Sequence, residues 1–303
     1  MSVQVGILPP ALSHDPAQLR RLLALAGDAG LDHVGVGDHV SFWVGAGRDG
    51  LIDATALTML HPTLPVHVAV YLLALRHPVL VARQLSTLSE LAPGRLVLGA
   101  GIGGEDRHEV ASCGVDPASR GRRMNECLAI LRRLLAGQPV SHHGEFFDLD
   151  DALVLPAPDP PIPIVVGGRS EARYAGRRGL ATADSGSGVG GPLRHGDGSD
   201  RRGGEQAGRG TVIWRHGMQV WCGLGGSREQ ARALLAPAMQ AMYRLPFERF
   251  ERYSPYGTPE DVAAFLAPYV QAGCASFNLI PCATDPDAAV EAVAQVKALL
   301  TAR

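Results

Sequence analysis

The sequence predicts an α/β protein folded as a single (β/α)8 TIM barrel over residues 1–303, with its sixth βα unit degenerate. Three observations carry that expectation. Strand-like apolar runs alternate with amphipathic helical stretches along the whole chain, the pattern of a parallel sheet covered by helices. A length of 303 residues suits a barrel of this kind as one domain. Seven strands are readable, and the slot between the fifth and the seventh of an eight-strand order is vacant.

The elements follow in order. Residues 3–8 make the first strand. Asp15 caps the next helix, Pro16 occupies its first position, and Leu19, Leu22, Leu23 and Ala26 recur on one face. Gly30 ends that helix, 33–37 is the second strand, and a loop over 45–50 leads to a helix at 53–60. The third strand, 65–73, is apolar and β-branched enough for burial on both faces. A helix over 79–91, a strand over 95–99 and a strongly amphipathic helix over 120–135 come next. Residues 145–155 form a short excursion before the fifth strand, 162–166. Beyond the vacant slot, 217–222 is a strand and 228–243 a helix. Thr258-Pro259-Glu260-Asp261 then opens a helix with a cap, a proline and acidic first-turn residues. Gly273 ends it, and the last strand and helix are 275–280 and 286–300.

Composition narrows the function classes. With 46% hydrophobic and 19% charged residues the chain is globular, and a net charge of −2 gives no electrostatic reason to expect nucleic acid or an anionic membrane as a partner. The first residues lack a secretory pattern and no stretch is clean enough to span a bilayer, so the expectation is a cytoplasmic protein. The five cysteines, Cys113, Cys127, Cys222, Cys274 and Cys282, never form a CxxC pair and read as small buried apolar residues. No metal is expected. Walker, HExxH and GxSxG patterns are missing, which removes support for nucleotide hydrolysis, zinc proteolysis and α/β-hydrolase chemistry.

In a barrel the loops after the carboxyl ends of the strands build the site. The second strand runs into Gly37-Asp38-His39-Val40-Ser41-Phe42-Trp43. His39 is a candidate acid, base or ring partner, with Asp38 orienting either the imidazole or the local backbone; a histidine that merely caps the strand end is the bland alternative. The fourth strand runs into Gly99-Ala100-Gly101-Ile102-Gly103-Gly104-Glu105, which satisfies GxGxxG but follows three complete βα units and continues into Asp106-Arg107-His108-Glu109. A dinucleotide fingerprint would sit differently. Glycines that admit a flat ring are the better reading, with a tight turn as the alternative and Glu105 as a carboxyl group beside the ring. The fifth strand ends in Gly167-Gly168-Arg169-Ser170-Glu171, where amides at a helix start, an arginine and a hydroxyl have the parts to hold a phosphate; a capped glycine turn remains open. His142-His143 beside Gly144 read as surface turn residues.

These segments, in this order, resemble the luciferase-like monooxygenase superfamily, especially its deazaflavin-dependent branch. The resemblance rests on Gly30-Leu31-Asp32-His33-Val34 with Gly37-Asp38-His39, Leu75-Arg76-His77-Pro78, Pro93-Gly94-Arg95 through Gly101, Arg120-Gly121-Arg122-Arg123-Met124, Val165-Val166-Gly167-Gly168 and Gly257-Thr258-Pro259-Glu260-Asp261. It implies a ring stacked over the carboxyl end of the barrel, with Asp38, Val70, Tyr71, Leu72, Gly101, Ile102 and Gly103 among the cofactor-binding positions. The phosphate would lie near Gly167, Gly168, Arg169 and Ser170. Val70-Tyr71-Leu72 matches the place where relatives support the ring with a bulge, often containing a non-prolyl cis bond. It also implies His39 as base or ring partner, Glu105 as proton donor and Trp43 at the substrate. The implied cofactor is coenzyme F420, used for hydride transfer with a small organic substrate. The alternative is FMN, with oxygen and a partner flavin reductase. A homodimer is common among relatives, and a non-catalytic ligand-binding descendant is the reading from another class.

Residues 183–210 depart from the family pattern, being dense in glycine, arginine and aspartate with almost no apolar side chains. Such a composition buries too little apolar area to offset ordering entropy, which fits a surface insertion. The competing account is a local reading-frame error in a GC-rich gene. Resequencing decides between them: an uninterrupted frame encoding this same stretch in independent isolates excludes the error.

Overall fold

The computed structural model describes residues 3–10, 13, 15–43, 45–103, 106–167, 180–184 and 214–302. In chain order the elements are β1 (Gln4–Ile7), α1 (Pro16–Asp28), β2 (Val34–Val36), α2 (Gly50–Leu60), β3 (Val66–Tyr71), α3 (Pro78–Leu91), β4 (Leu96–Ala100), α4 (Arg107–Ser112) and α5 (Arg120–Leu135). Next come a hairpin of β5 (Val140–His143) and β6 (Asp148–Ala152), then β7 (Ile164–Gly167), β8 (Leu180–Asp184) and β9 (Trp214–Leu224). The chain ends with α6 (Arg228–Tyr243), β10 (Tyr256–Gly257), α7 (Pro259–Gln271), β11 (Cys274–Cys282) and α8 (Pro286–Thr301). The fold is α/β of the TIM-barrel class. Pairing runs β1–β2–β3–β4–β7–β8–β9–β11, with β11 beside β1 and the short β10 added at β9.

The predicted caps are in place. Asp15 accepts the amide of Ala17 at 2.9 Å, and Thr258 and Asp261 form a reciprocal capping box. The second helix begins earlier than its apolar spacing suggests, at Gly50, because Asp49 caps it by accepting from Leu51 and Ile52. The third strand is shorter, ending at Tyr71 before a 3-10 turn over Leu73–Leu75.

The vacant sixth slot is corrected by β8, which pairs with both β7 and β9 but runs antiparallel to each. A parallel strand needs a crossover that returns the chain to the other end of the sheet. An antiparallel strand between two parallel neighbours removes that requirement, which suits a stretch poor in apolar residues. Residues 185–213 lie outside the described residues, and with them most of the atypical segment. Among the described residues no helix is long and apolar enough to cross a membrane.

Outward-facing Val5, Ile7, Val34, Val36, Val66, Val68, Leu96 and Leu98 pack under the helices in one continuous core. Across the pleat the interior is polar in part. The His33 and His67 rings stack with centroids 3.7 Å apart, and His33 Nε2 lies 3.0 Å from Asn278 Oδ1. Gly6 makes room, since a Cβ there would stand 2.2 Å from the His33 ring. Burial pulls the His33 imidazole down from 6.5 to about 4 and His67 also well below its ordinary value. The pair is therefore neutral when folded and binds protons more readily when unfolded. Stability is full above the unfolded value of 6.5 and is lost as the pH falls toward about 4. Unfolding titrations between those limits are expected to show a loss of about 1–3 kcal/mol, at 1.36 kcal/mol per unit. His33→Gln should flatten that slope; equal slopes in parent and variant would remove the histidine from the account.

Candidate functional site

The carboxyl ends of β2, β3, β4 and β7 carry the expected residues that fall among the described ones. Asp38, just past β2, has a fully buried carboxylate whose acceptor positions are all used. Its Oδ1 accepts from Gly50 N at 2.9 Å and Arg76 Nη2 at 2.8 Å, and its Oδ2 from Leu72 N at 2.8 Å and Arg76 Nη1 at 2.7 Å. Burial pushes the Asp38 carboxyl above its ordinary value, against the pull of Arg76 and the two amides. The guanidinium also reaches Asp49 at 3.3 Å and lies over the Tyr71 ring at 4.3 Å. Of the two roles expected for Asp38, it therefore performs the orientation of backbone and does not touch the imidazole.

Between Val68 and Tyr71 the register of β3 against β4 shifts, and the Ala69–Val70 peptide is cis. The bulge points the Val70 side chain across the ends of β4 and β7. A Cβ on Gly101 would stand 2.3 Å from Val70 Cγ2, and one on Gly167 would stand 3.0 Å from Val70 Cγ1. Gly101 was expected to admit a flat ring and Gly167 to help hold a phosphate; at both, the space a Cβ would fill is taken up by Val70, which forms the ledge itself. Tyr71 and Leu72 are buried and carry that ledge from beneath, Tyr71 through its carbonyl to Gly101 N at 2.8 Å. Ile102 and Gly103 border it, half-buried, with Gly103 at φ 65. Gly104, Glu105, Gly168, Arg169 and Ser170 lie outside the described residues.

His39, in the loop that follows β2, has 23% of its side chain exposed. Its Nδ1 lies 3.1 Å from Glu109 Oε2 and 3.3 Å from Oε1, and its ring stacks on Phe42 at 4.0 Å. Glu109 is buried and also accepts the amides of Val40 at 2.6 Å and Ser41 at 3.2 Å. Sequence reasoning missed Glu109. The available signal was Asp106 followed three residues later by Glu109, normally a capping pattern; Asp106 does cap α4, through His108 N at 2.9 Å, but Glu109 turns to the β2 loop.

Trp43 sits at φ 45, a conformation that costs a bulky residue on the order of 1–3 kcal/mol and is held only by its surroundings. Its amide donates to Asp106 Oδ2 at 2.8 Å, its indole donates to the Met242 carbonyl at 3.0 Å, and Arg244 lies 4.8 Å over the ring. Trp43 thus joins the β2 loop to the end of α6. Elsewhere, His143 is exposed as expected, while His142 is half-buried against Glu126 at 3.0 Å. The cysteines are free, all buried except the half-buried Cys113, and no metal-holding cluster occurs among the described residues.

Comparison with known proteins follows from this geometry. The sequence profile described as luciferase-like monooxygenase matches residues 2–250. An F420-dependent glucose-6-phosphate dehydrogenase of Kineococcus radiotolerans is 31% identical over 185 residues, covering 58% of this chain and 55% of that protein. An uncharacterized protein of Mycobacterium tuberculosis is 42% identical over 101 residues, 33% of this chain and 34% of that one. The chain thus matches about half, or less, of the length of these curated relatives. Among solved structures, an F420-dependent secondary alcohol dehydrogenase in complex with an F420-acetone adduct superposes with TM-score 0.75 at 20% identity, covering 99% of both chains. The FMN-bound oxygenating constituent of 3,6-diketocamphane monooxygenase from Pseudomonas putida gives TM-score 0.68 at 15% identity, covering 100% of this chain and 99% of that one. At these identities the superpositions establish the fold.

The Asp38–Arg76 pair sets a stability test. Asp38→Asn removes the bidentate counter-charge and leaves Arg76 only its longer contact with Asp49, and is expected to cost about 3–5 kcal/mol in denaturant unfolding. Arg76→Lys, which loses the bidentate fork, should also destabilise. A parental midpoint for Asp38→Asn would show that the pair does not hold the mouth together.

Proposed function

The chain belongs to the luciferase-like monooxygenase family, and from that premise we propose that it is a deazaflavin-dependent oxidoreductase transferring a hydride between a small organic substrate and coenzyme F420. The observation that carries this reading is the partly exposed His39 imidazole, paired with the buried Glu109 carboxylate, in the loop that leaves the carboxyl end of β2, on the end of the sheet where the β3 bulge turns Val70 over Gly101 and Gly167. Sequence relatives named for F420 dependence, at 31% and 34% identity over 185 and 187 residues, favour the deazaflavin over FMN.

The described residues fit a flat ring with apolar faces and a polar edge. Val70 and Ile102 would offer an apolar ledge, Gly101 admits the Val70 side chain that forms it, Gly103 borders it, and Asp38, Tyr71 and Leu72 hold it from below. Gly167, Gly168, Arg169 and Ser170 would bind the phosphate through amides, a guanidinium and a hydroxyl. When bound, the cofactor supplies the hydride acceptor. His39 takes up the proton that leaves the substrate in the oxidising direction, Glu105 donates a proton on the cofactor side, and Trp43 walls the substrate.

Two measurements test this. Titration of the purified protein with F420 and with FMN, followed by cofactor fluorescence, should show tight binding of F420. Preference for FMN would move the protein to oxygen-using chemistry with a partner reductase, and bound cofactor without oxidation of any alcohol or sugar phosphate would make it a binding protein. His39→Ala and Glu105→Gln should each lower turnover by at least about tenfold while cofactor affinity is kept. Undiminished turnover in either variant refutes the role given to that residue.

A further inference from the structure

We infer that Glu109 is a positioning residue that fixes the tautomer of His39, holding the ring proton on Nδ1 and leaving the Nε2 lone pair as the base; this rests on the oxidoreductase reading above. The inference starts from hydrogen-bond inventory. A neutral imidazole carries one N–H, and a carboxylate can only accept. Glu109 is 1% exposed, and its Oε1 already accepts from Val40 N at 2.6 Å and Ser41 N at 3.2 Å. Both of its oxygens also lie within 3.3 Å of His39 Nδ1. With acceptors on one side of that contact, the proton must come from the imidazole. His39 Nε2 has no partner among the described residues.

Two further contacts lock the ring. Phe42 stacks on it at 4.0 Å, and the His39 amide donates to Arg48 O at 3.0 Å, so neither a ring flip nor a shift of the loop is needed to present Nε2. Bound F420 would supply the two-electron hydride acceptor; in the oxidising direction His39 Nε2 would take the substrate O–H proton as the carbon bearing that oxygen gives up its hydride to the cofactor and C–O becomes C=O, and the imidazolium so formed would lie against the buried Glu109 carboxylate.

Glu109→Gln separates this role from simple packing. A glutamine has one oxygen, which the Val40 and Ser41 amides occupy; its NH2 then faces Nδ1 and can only donate. The amide group should therefore drive the His39 proton to Nε2 and remove the base. The experiment is 15N NMR of the histidine-labelled full chain without cofactor or substrate, with the His39 signals identified by their loss in His39→Gln. The expected result is an Nδ1–H tautomer in the parent and Nε2–H in Glu109→Gln, with kcat lowered at least about tenfold and F420 affinity unchanged. An Nε2–H tautomer in the parent overturns the inference, as does an unchanged tautomer in a folded Glu109→Gln. Should that variant not fold, the parent spectrum alone decides. Because the tautomer is read without cofactor, failure of F420 to bind refutes the F420 reading and leaves the tautomer assignment standing.

Discussion

The ion pair of Asp38 with Arg76 is the joint on which the mouth of the barrel depends. Burying two charges is unfavourable unless their geometry is near ideal and the remaining acceptor positions are filled. Here both guanidinium nitrogens and two backbone amides fill them. Those amides belong to Gly50, at the start of α2, and Leu72, at the end of the β3 bulge. One carboxylate therefore fixes the start of a helix, the exit of a strand and the loop it belongs to. His39 is the next residue, so its imidazole and the exit of the β3 bulge are referenced to the same carboxylate.

That arrangement shows why the site was only partly legible. The pairing of Asp38 with His39 in sequence invites a dyad. In extended chain, successive side chains point to opposite faces, so neighbours in sequence diverge in space. Asp38 turns into the core toward Arg76, and His39 turns outward to a carboxylate 70 residues away. A contact of that range leaves no periodic trace in one sequence. Strands β1 to β4, β7, β9 and β11, the caps at Asp15 and Thr258, and the helices over 79–91 and 120–135 were legible because periodicity and capping chemistry are local, whereas β5, β6, β8 and β10 were not read as strands. Nor were the early start of α2, the 107–112 helix and the direction of β8 legible. The first depends on a glycine inside a helix, and the others on tertiary pairing that overrides local preference.

The glycines carry a related lesson. Gly99, Gly101 and Gly167 mark close approach, and the sequence does not say of what. Their free space is filled by this chain's own Val68 carbonyl and Val70 side chain. A ring lying at this mouth meets the valine that the glycines admit, and the ledge is apolar for that reason. Replacing one of these glycines would disturb the bulge before it touched a ligand.

Where the chain departs from a regular barrel also matters for function. Asp38, His39, Val70, Arg76, Gly101, Glu109 and Gly167 all precede residue 168, so the imidazole, the carboxylate it meets and the ledge come from units of regular parallel pairing. The antiparallel strand lies after them. What comes from the far side of that strand is the end of α6, which meets Trp43 through the Met242 carbonyl and the Arg244 guanidinium. The strained backbone of Trp43 is held jointly by Asp106 from the regular half and by Met242 from the other. The end of α6 is therefore where a change in how the chain travels between β7 and β9 reaches Trp43, while the Asp38–Arg76 pair and the contact of His39 with Glu109 are held wholly within the regular half.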